Sequence, residues 1–358
     1  LELLSPAGSP EAVVAAVQNG ADAVYLGLGG FNARRGAKNF SEQEFIDALR
    51  YCHERACRVY VTMNTLVGDR EMEQAAELGR FVSDAGADAV LVQDLGLARV
   101  LRSVCPDLPL HASTQMSVHN LAGVHAAAQL GMRRVVLARE LSREQIRFIA
   151  ARSPIEVEVF VHGALCFCHS GQCYMSSLIG RRSGNRGMCA QPCRMQYSAG
   201  RSSEAYPLSL KDNCLADFLG ELEDMGVACV KIEGRMKRPE YGAIVTKIYH
   251  RAIHEHTPPT EKELETLRLA FSRDGFTDGY YTGKKQDMHG VRGEPDKDAN
   301  KLFTAARRAY AAGEMRRVDV DFAAIVRAGV PARVAVRDDD GNEAAVTGPV
   351  PQPAQSPR

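Results

Sequence analysis

Short runs of consecutive apolar residues alternate, over the first 250 positions, with longer stretches whose apolar residues recur every three or four places. The runs fall at 2–5, 23–28, 59–64, 89–93, 110–114, 134–138, 157–162 and 228–233. Each is short, uninterrupted and rich in β-branched residues, the signature of a strand buried on both faces. The stretches at 10–19, 41–54, 70–85 and 142–152 carry the period of amphipathic helices. Ser9-Pro10 supplies an N-cap with proline at the first helical position, and Ser41-Glu-Gln-Glu44 reads as a capping box. A repeated phrase marks the return from helix to strand: Gly20-Ala-Asp-Ala-Val24 recurs as Gly86-Ala-Asp-Ala-Val90, with looser echoes at Gly131 and Gly226. The glycine ends the helix in a left-handed conformation, and a buried strand follows. Eight strands alternating with helices over about 250 residues predict a (β/α)8, TIM-like barrel. A doubly wound open sheet is the alternative, but the turn after the first run, Pro6-Ala-Gly-Ser-Pro10, is not the GxGxxG of a dinucleotide fold.

One connection breaks the rhythm. From Gly163 to about Cys214 no βα repeat is visible, and a loop of that length in a compact domain usually carries function. The barrel is therefore expected over 1–255, with a Cys-rich insertion after strand 7. His256-Thr-Pro-Pro-Thr260 opens a helical and Gly-aromatic extension (256–315) that includes Gly275-Phe-Thr-Asp-Gly-Tyr-Tyr-Thr-Gly283. The alternating runs of 316–348, with a hairpin turn at Asp338-Asp-Asp-Gly341, read as a small, truncated β region. Pro-rich 349–358 is expected to be disordered.

Composition narrows the function classes. The 358 residues carry a formal net charge of zero, which excludes a strongly basic coat but leaves room for a local basic face. No run approaches 18 apolar residues, so no membrane span is expected, and the chain opens directly on a strand rather than a signal peptide. A cytoplasmic, reducing location follows as the expectation, in which clustered cysteines serve metals or redox chemistry more often than disulfides.

There are ten cysteines. Cys52, Cys57, Cys105 and Cys229 lie in helix or strand patterns and read as small buried hydrophobes. Cys166, Cys168, Cys173, Cys189, Cys193 and Cys214 gather in the irregular connection. Only Cys189 and Cys193 approach the spacing of a zinc knuckle; the wide remaining gaps suit an iron–sulfur cube better, with zinc and inert thiols as alternatives. Six thiols compete for four positions. In a barrel, polar residues at the strand C-termini line the active face. Here they are Ser5, Asn32, Arg34, Asn64, Gln93, Asp94, Ser113, Gln115, Arg139, Glu140, His162, Lys231, Glu233 and Arg235. Asn64, His162 and Glu233 are the candidates for chemistry. Lys231, Arg235 and Lys237 are the candidates for holding the carboxylates of a small cosubstrate. Arg181, Arg182, Arg186 and Arg194, extended by Arg235, Lys237 and Arg238, are candidate phosphate contacts.

The segments Glu158-Val-Phe-Val-His-Gly-Ala-Leu-Cys166, Cys173 with Ser176, Leu3-Leu-Ser-Pro-Ala-Gly8, Asn185-Arg-Gly, Ser209-Leu-Lys-Asp212 and Lys231-Ile-Glu-Gly-Arg235 together resemble the collagenase-like peptidases of unknown catalytic type. The resemblance covers roughly residues 1 to 285. That family includes members labelled proteases and iron–sulfur proteins that hydroxylate bases of transfer or ribosomal RNA with prephenate. By this resemblance, Cys166, Cys173, Cys189 and Cys214 would hold a [4Fe–4S] cluster, with Cys193 the substitute for Cys214. Prephenate would be the cosubstrate, RNA the partner (ribosomal ahead of transfer), and the electron donor is unnamed. A peptidase, with His162 beside Cys166, and a non-catalytic cluster-holding subunit are the competing readings; no HExxH motif occurs.

Overall fold

A computed structural model describes residues 1–34, 39–198, 206–291, 293, 297–313, 320–338 and 341–352. It separates into two compact units, Leu1–Met315 and Arg316–Arg358.

In the first unit, β1 (Glu2–Pro6), β2 (Ala23–Leu26), β3 (Arg58–Met63), β4 (Ala89–Val92), β5 (Leu110–Ala112), β6 (Arg134–Val136) and β7 (Glu156–Ala164) pair in parallel, each with the next. After β7 the chain first makes an extra strand, β8 (Asp212–Cys214), which runs antiparallel to the end of β7. Only then does β9 (Cys229–Ile232) insert between β7 and β1 and close the ring. The result is an eight-stranded parallel barrel, β1 to β7 plus β9, with helices between the strands. The local grammar is as expected: Ser9 caps Ala12 N–H, Ser41 and Glu44 form a reciprocal capping box, and Gly20 and Gly86 both sit at φ +94°.

Strand parity divides the apolar residues in two. Leu3, Val24, Val59, Val90, Leu110, Val135, Val157 and Val230 face outward into the main core beneath the helices. Leu4, Tyr25, Tyr60, Leu91, Val136 and Phe160 fill the lumen. The lumen also holds charge. Arg134 bonds Glu2 at 2.6 Å and lies 3.4 Å from Glu158, while Lys231 bonds the other Glu158 oxygen at 2.9 Å. All four are almost completely buried.

Helices Glu261–Ala270 and Lys297–Ala311 contribute Leu267, Ala270 and Phe303 to the main core, so these helices pack into the same compact unit as the barrel. The Gly-aromatic stretch supplies β10 (Phe276–Thr277), which pairs with β8. Lys211 N–H donates to the Met288 carbonyl at 2.8 Å, and the Ser209 hydroxyl donates to the Gly290 carbonyl at 2.7 Å. The extension thus braces the far end of the insertion.

The second unit is a three-stranded antiparallel sheet of β11 (Val320–Arg327), β12 (Val330–Asp338) and β13 (Glu343–Thr347). The Asp338–Gly341 turn is only partly described, but Asp338 accepts from Asn342 N–H at its tip. Asp339, Asp340 and 353–358, part of the tail expected to be disordered, lie outside the described residues. No helix among the described residues is long and apolar enough to cross a membrane.

Candidate active site at the barrel mouth

The C-terminal ends of the strands open on a pocket lined by Tyr25, Arg34, Thr62, Asn64, Ser113, Gln115, Arg139, Phe160, Lys231, Glu233 and Arg235, among others. Of the residues expected to carry chemistry or hold the cosubstrate, Asn64, Lys231, Glu233 and Arg235 meet here, joined by Arg34, Ser113, Gln115 and Arg139 of the expected active face. Glu233 lies 3.0 Å from Arg34 and 3.8 Å from Arg139. Burial alone would raise its pKa, but the two guanidiniums outweigh that and hold the carboxyl at about 2. It is an anion at any physiological pH. Asn64 has both ends of its amide engaged, accepting from Ala33 N–H and donating to Ser113 Oγ, so it shapes the wall.

Arg235 is the least compensated charge in the pocket. Its guanidinium donates to Thr62 Oγ1 at 2.8 Å and Asn32 Oδ1 at 3.0 Å, both neutral, and burial pushes its pKa down to about 10. Glycines make its seat: a Cβ at Gly27 would strike the guanidinium, and one at Gly8 would strike the Arg235 carbonyl. Lys231 sits 4.4 Å from the Tyr25 ring centroid with Glu158 beneath it. These two cations face a cavity whose one lining carboxylate is already occupied by Arg34 and Arg139. Such a floor suits a small anion.

Three expected residues are placed elsewhere. His162 follows a register shift in β7 between Phe160 and His162, so Val161 and His162 do not continue the lumen-facing alternation. His162 instead packs among Tyr241, Tyr249 and Phe276 in the outer layer, its Nδ1 3.2 Å from the Tyr249 hydroxyl and its Nε2 unpartnered. The structure therefore corrects its assignment to the mouth. Burial lowers its pKa from 6.5 to about 3. Between those values the unfolded chain binds a proton that the folded one refuses. Stability should fall by about 1.4 kcal/mol per pH unit from pH 6.5 down to pH 3. Denaturant titrations of His162→Phe should show that component of the slope gone.

Lys237 is likewise not among the pocket-lining residues; its ammonium lies over the Phe271 ring. Cys214 lies on β8 directly opposite His162, its thiol 3.6 Å from the Tyr249 hydroxyl and pushed up to about 11 by burial.

The other thiols gather above the mouth. After the burial that raises its pKa and the opposing Arg194, Cys193 feels Cys166, Cys189 and Cys173. Cys168 feels Cys173 and Cys166 in the same way. Cys189 Sγ accepts from Gln191 N–H at 3.3 Å and from the Ser176 hydroxyl at 3.8 Å. A Cβ at Gly184 would lie within 4 Å of both the Cys173 carbonyl and the Cys189 Cβ. The strand end that leads into Cys166 ties this group to the pocket, since Arg139 of the pocket wall donates to the Ala164 carbonyl. Among the described residues no three His, Cys, Asp or Glu side chains converge closely enough to hold a metal ion as they stand.

The insertion is pinned across the mouth by polar contacts. Ser170 N–H and Oγ both bond Glu140, Arg139 Nη1 donates to the Ala164 carbonyl, and Arg186 pairs with Glu71 and the Leu66 carbonyl. Arg194 donates to Ser209 Oγ and the Leu165 carbonyl. Arg186 and Arg194 are thus structural ties, and Arg238 is bound to buried Glu240, which removes all three from the expected phosphate face. Gly171 shows how tightly the insertion sits: at φ +74° its Cβ would run into the Gln115 carbonyl. Gly171→Ala should unseat the loop and raise the proteolytic sensitivity of 165–198 while leaving the far-ultraviolet spectrum of the barrel unchanged.

A closed parallel barrel with a charged mouth and a thiol-bearing insertion places the chain in the TIM-barrel fold class. The chain belongs to peptidase family U32, whose model matches residues 8–290. It is 37% identical over 313 residues to a 23S rRNA 5-hydroxycytidine synthase of Escherichia coli, covering 80% of this chain and 46% of that one. It is 34% identical to a tRNA hydroxylation protein of Bacillus subtilis (77% and 70% covered). It is 32% identical to a collagenase of Porphyromonas gingivalis (79% and 74% covered). The chain thus spans about half the length of the ribosomal RNA relative.

Proposed function

We propose that this chain is an RNA base hydroxylase in which Cys166, Cys173, Cys189 and Cys193 hold a [4Fe–4S] cluster over the barrel mouth. The observation that carries the reading is a cation-floored pocket at the barrel mouth with the insertion that bears these four thiols tied to its wall, in a chain whose relatives include hydroxylases of ribosomal and transfer RNA. The donor set fits the group: all four ligands are sulfur, N–H and O–H donors face Cys189, and a polynuclear cluster spans a wider gap than a lone ion. When bound, the cluster would supply the one-electron chemistry that side chains lack.

The chain's own residues supply the rest. Arg235 and Lys231 would bind the two carboxylates of prephenate, the expected cosubstrate. Glu233, fixed as an anion by Arg34 and Arg139, would orient both guanidiniums toward the pocket. Tyr25 and Phe160 wall the site with aromatic surface and limit water. Deleting the gene and examining ribosomal and transfer RNA by mass spectrometry tests the reading. One nucleoside should lose the mass of a single oxygen atom, and restoration should require Arg235 but not His162. Unchanged RNA with peptide cleavage by the pure protein would sink it. The peptidase reading needs His162 as the base beside Cys166, and His162 is buried among Tyr241, Tyr249 and Phe276 out of reach of a substrate.

A further inference from the structure

The outer surface of the insertion is unlike the rest of the barrel. Helix Met175–Gly180 turns Ser176 inward to Cys189 and half-buries Met175 and Ser177, while Leu178, Ile179 and Gly180 are left exposed. Leu178 is 84% exposed, Ile179 65% and Tyr174 59%, with Met195 nearby in sequence at 58%. Helical spacing places Tyr174 and Leu178 on one side of this turn. Arg181 and Arg182, both exposed, follow at once. Arg182 donates Nε–H to the Met188 carbonyl, and neither arginine is in an ion pair among the described residues, whereas Arg186 is committed to Glu71. Burying Leu178 and Ile179 in the fold would be the ordinary use of such residues, so their exposure beside unpaired cations marks a contact surface.

We propose that this segment is a platform for unpaired RNA, on which nucleotides next to the target stack against Tyr174 and Leu178 while Arg181 and Arg182 take the neighbouring phosphates. Charge complementarity selects the occupant: a polyanion satisfies the arginines, and only unstacked bases offer flat faces to an apolar, aromatic surface. A duplex keeps its bases stacked and presents phosphate and sugar, leaving Leu178 and Ile179 in water. The inference rests on the RNA reading above and adds the strandedness of the substrate and the place where it is gripped.

The chain contains no tryptophan, so Leu178→Trp installs a single reporter on an exposed position. The holoprotein carrying it should lose most of its tryptophan emission on adding a single-stranded oligoribonucleotide, and little with the blunt duplex of the same sequence. Phe148→Trp, on helix Arg143–Ala150 and 52% exposed, should stay unquenched. Tyr174→Ala should weaken single-strand binding about tenfold. The double change Arg181→Ala, Arg182→Ala should reduce the slope of log affinity against log salt by about 1.4. An unquenched Leu178→Trp protein that still retains RNA on a filter overturns the platform and leaves the RNA reading standing. Equal quenching by duplex overturns the strandedness. Self-association abolished by Leu178→Asp, with RNA affinity unchanged, would assign the patch to a second copy instead. Failure of every variant and the parent to bind any RNA would strike the RNA reading itself.

Discussion

Cys189→Ser is expected to strip most of the iron and visible absorbance from anaerobically isolated protein, and Cys193→Ser to do the same, whereas Cys214→Ala keeps both. Cys189 receives its donors from Gln191 and Ser176, and Cys193 lies in the electrostatic reach of the other three thiols. Cys214 is held on β8 against Tyr249, on the outer side of the wall, with a thiol that burial keeps protonated. Iron and labile-sulfide counts on the three variants distinguish the sets. Retention in Cys193→Ser with loss in Cys214→Ala would restore the motif-based assignment. Circular dichroism on each variant separates loss of cluster from loss of fold.

Arg134→Met should destabilise the barrel by about 3–5 kcal/mol, because it strands Glu2 and Glu158 in the lumen without their shared cation. Glu158 has no exposed surface and among the described residues keeps only Lys231 as an ion-pair partner, and Glu2 only half-exposed Arg58. Glu156→Gln, which removes a partner of Arg134 at the solvent edge, should cost under about 1 kcal/mol. Urea unfolding of the two variants measures the contrast; equal losses would place the network's weight at the rim rather than in the lumen. Lys231 rests on the same Glu158, so Arg134→Met is also expected to disturb the pocket floor.

The barrel was legible because its signals are local: strand runs, capping boxes and the Gly-Ala-Asp-Ala-Val phrase each follow from a few adjacent residues. So was much of the mouth, since a strand end places Lys231, Glu233 and Arg235 together once parity is known. His162 escaped this reasoning because a single register shift reverses parity, and nothing in the run Val157-Glu-Val-Phe-Val-His162 announces it. Cys214 escaped because β8 draws its stability from two partners far away in sequence, β7 and β10. The lumen network had a visible trace, in that Glu2, Arg134 and Glu158 are charges inside otherwise apolar runs. Only the closed ring shows that all three point to one place. The fates of Arg186 and Arg194 could not be read, because their acceptors, Glu71 and several carbonyls, lie on other loops.

The order in which the ring closes has a bearing on biosynthesis. Glu2 pairs with Cys229, so the first strand lacks one neighbour until the last one has left the ribosome. At ordinary translation rates that interval is roughly 10–45 s. Throughout it the apolar edge of β1 stands open, joined from residue 164 onward by that of β7, and once Glu158 is made the Glu2, Arg134 and Glu158 set lacks the Lys231 that completes it. The thiols of the insertion emerge within the same interval, before β10 is made to brace them. A nascent chain of this design calls for protection of two sheet edges and several bare thiols at once, and its yield in cells should respond to chaperone supply and to oxygen together.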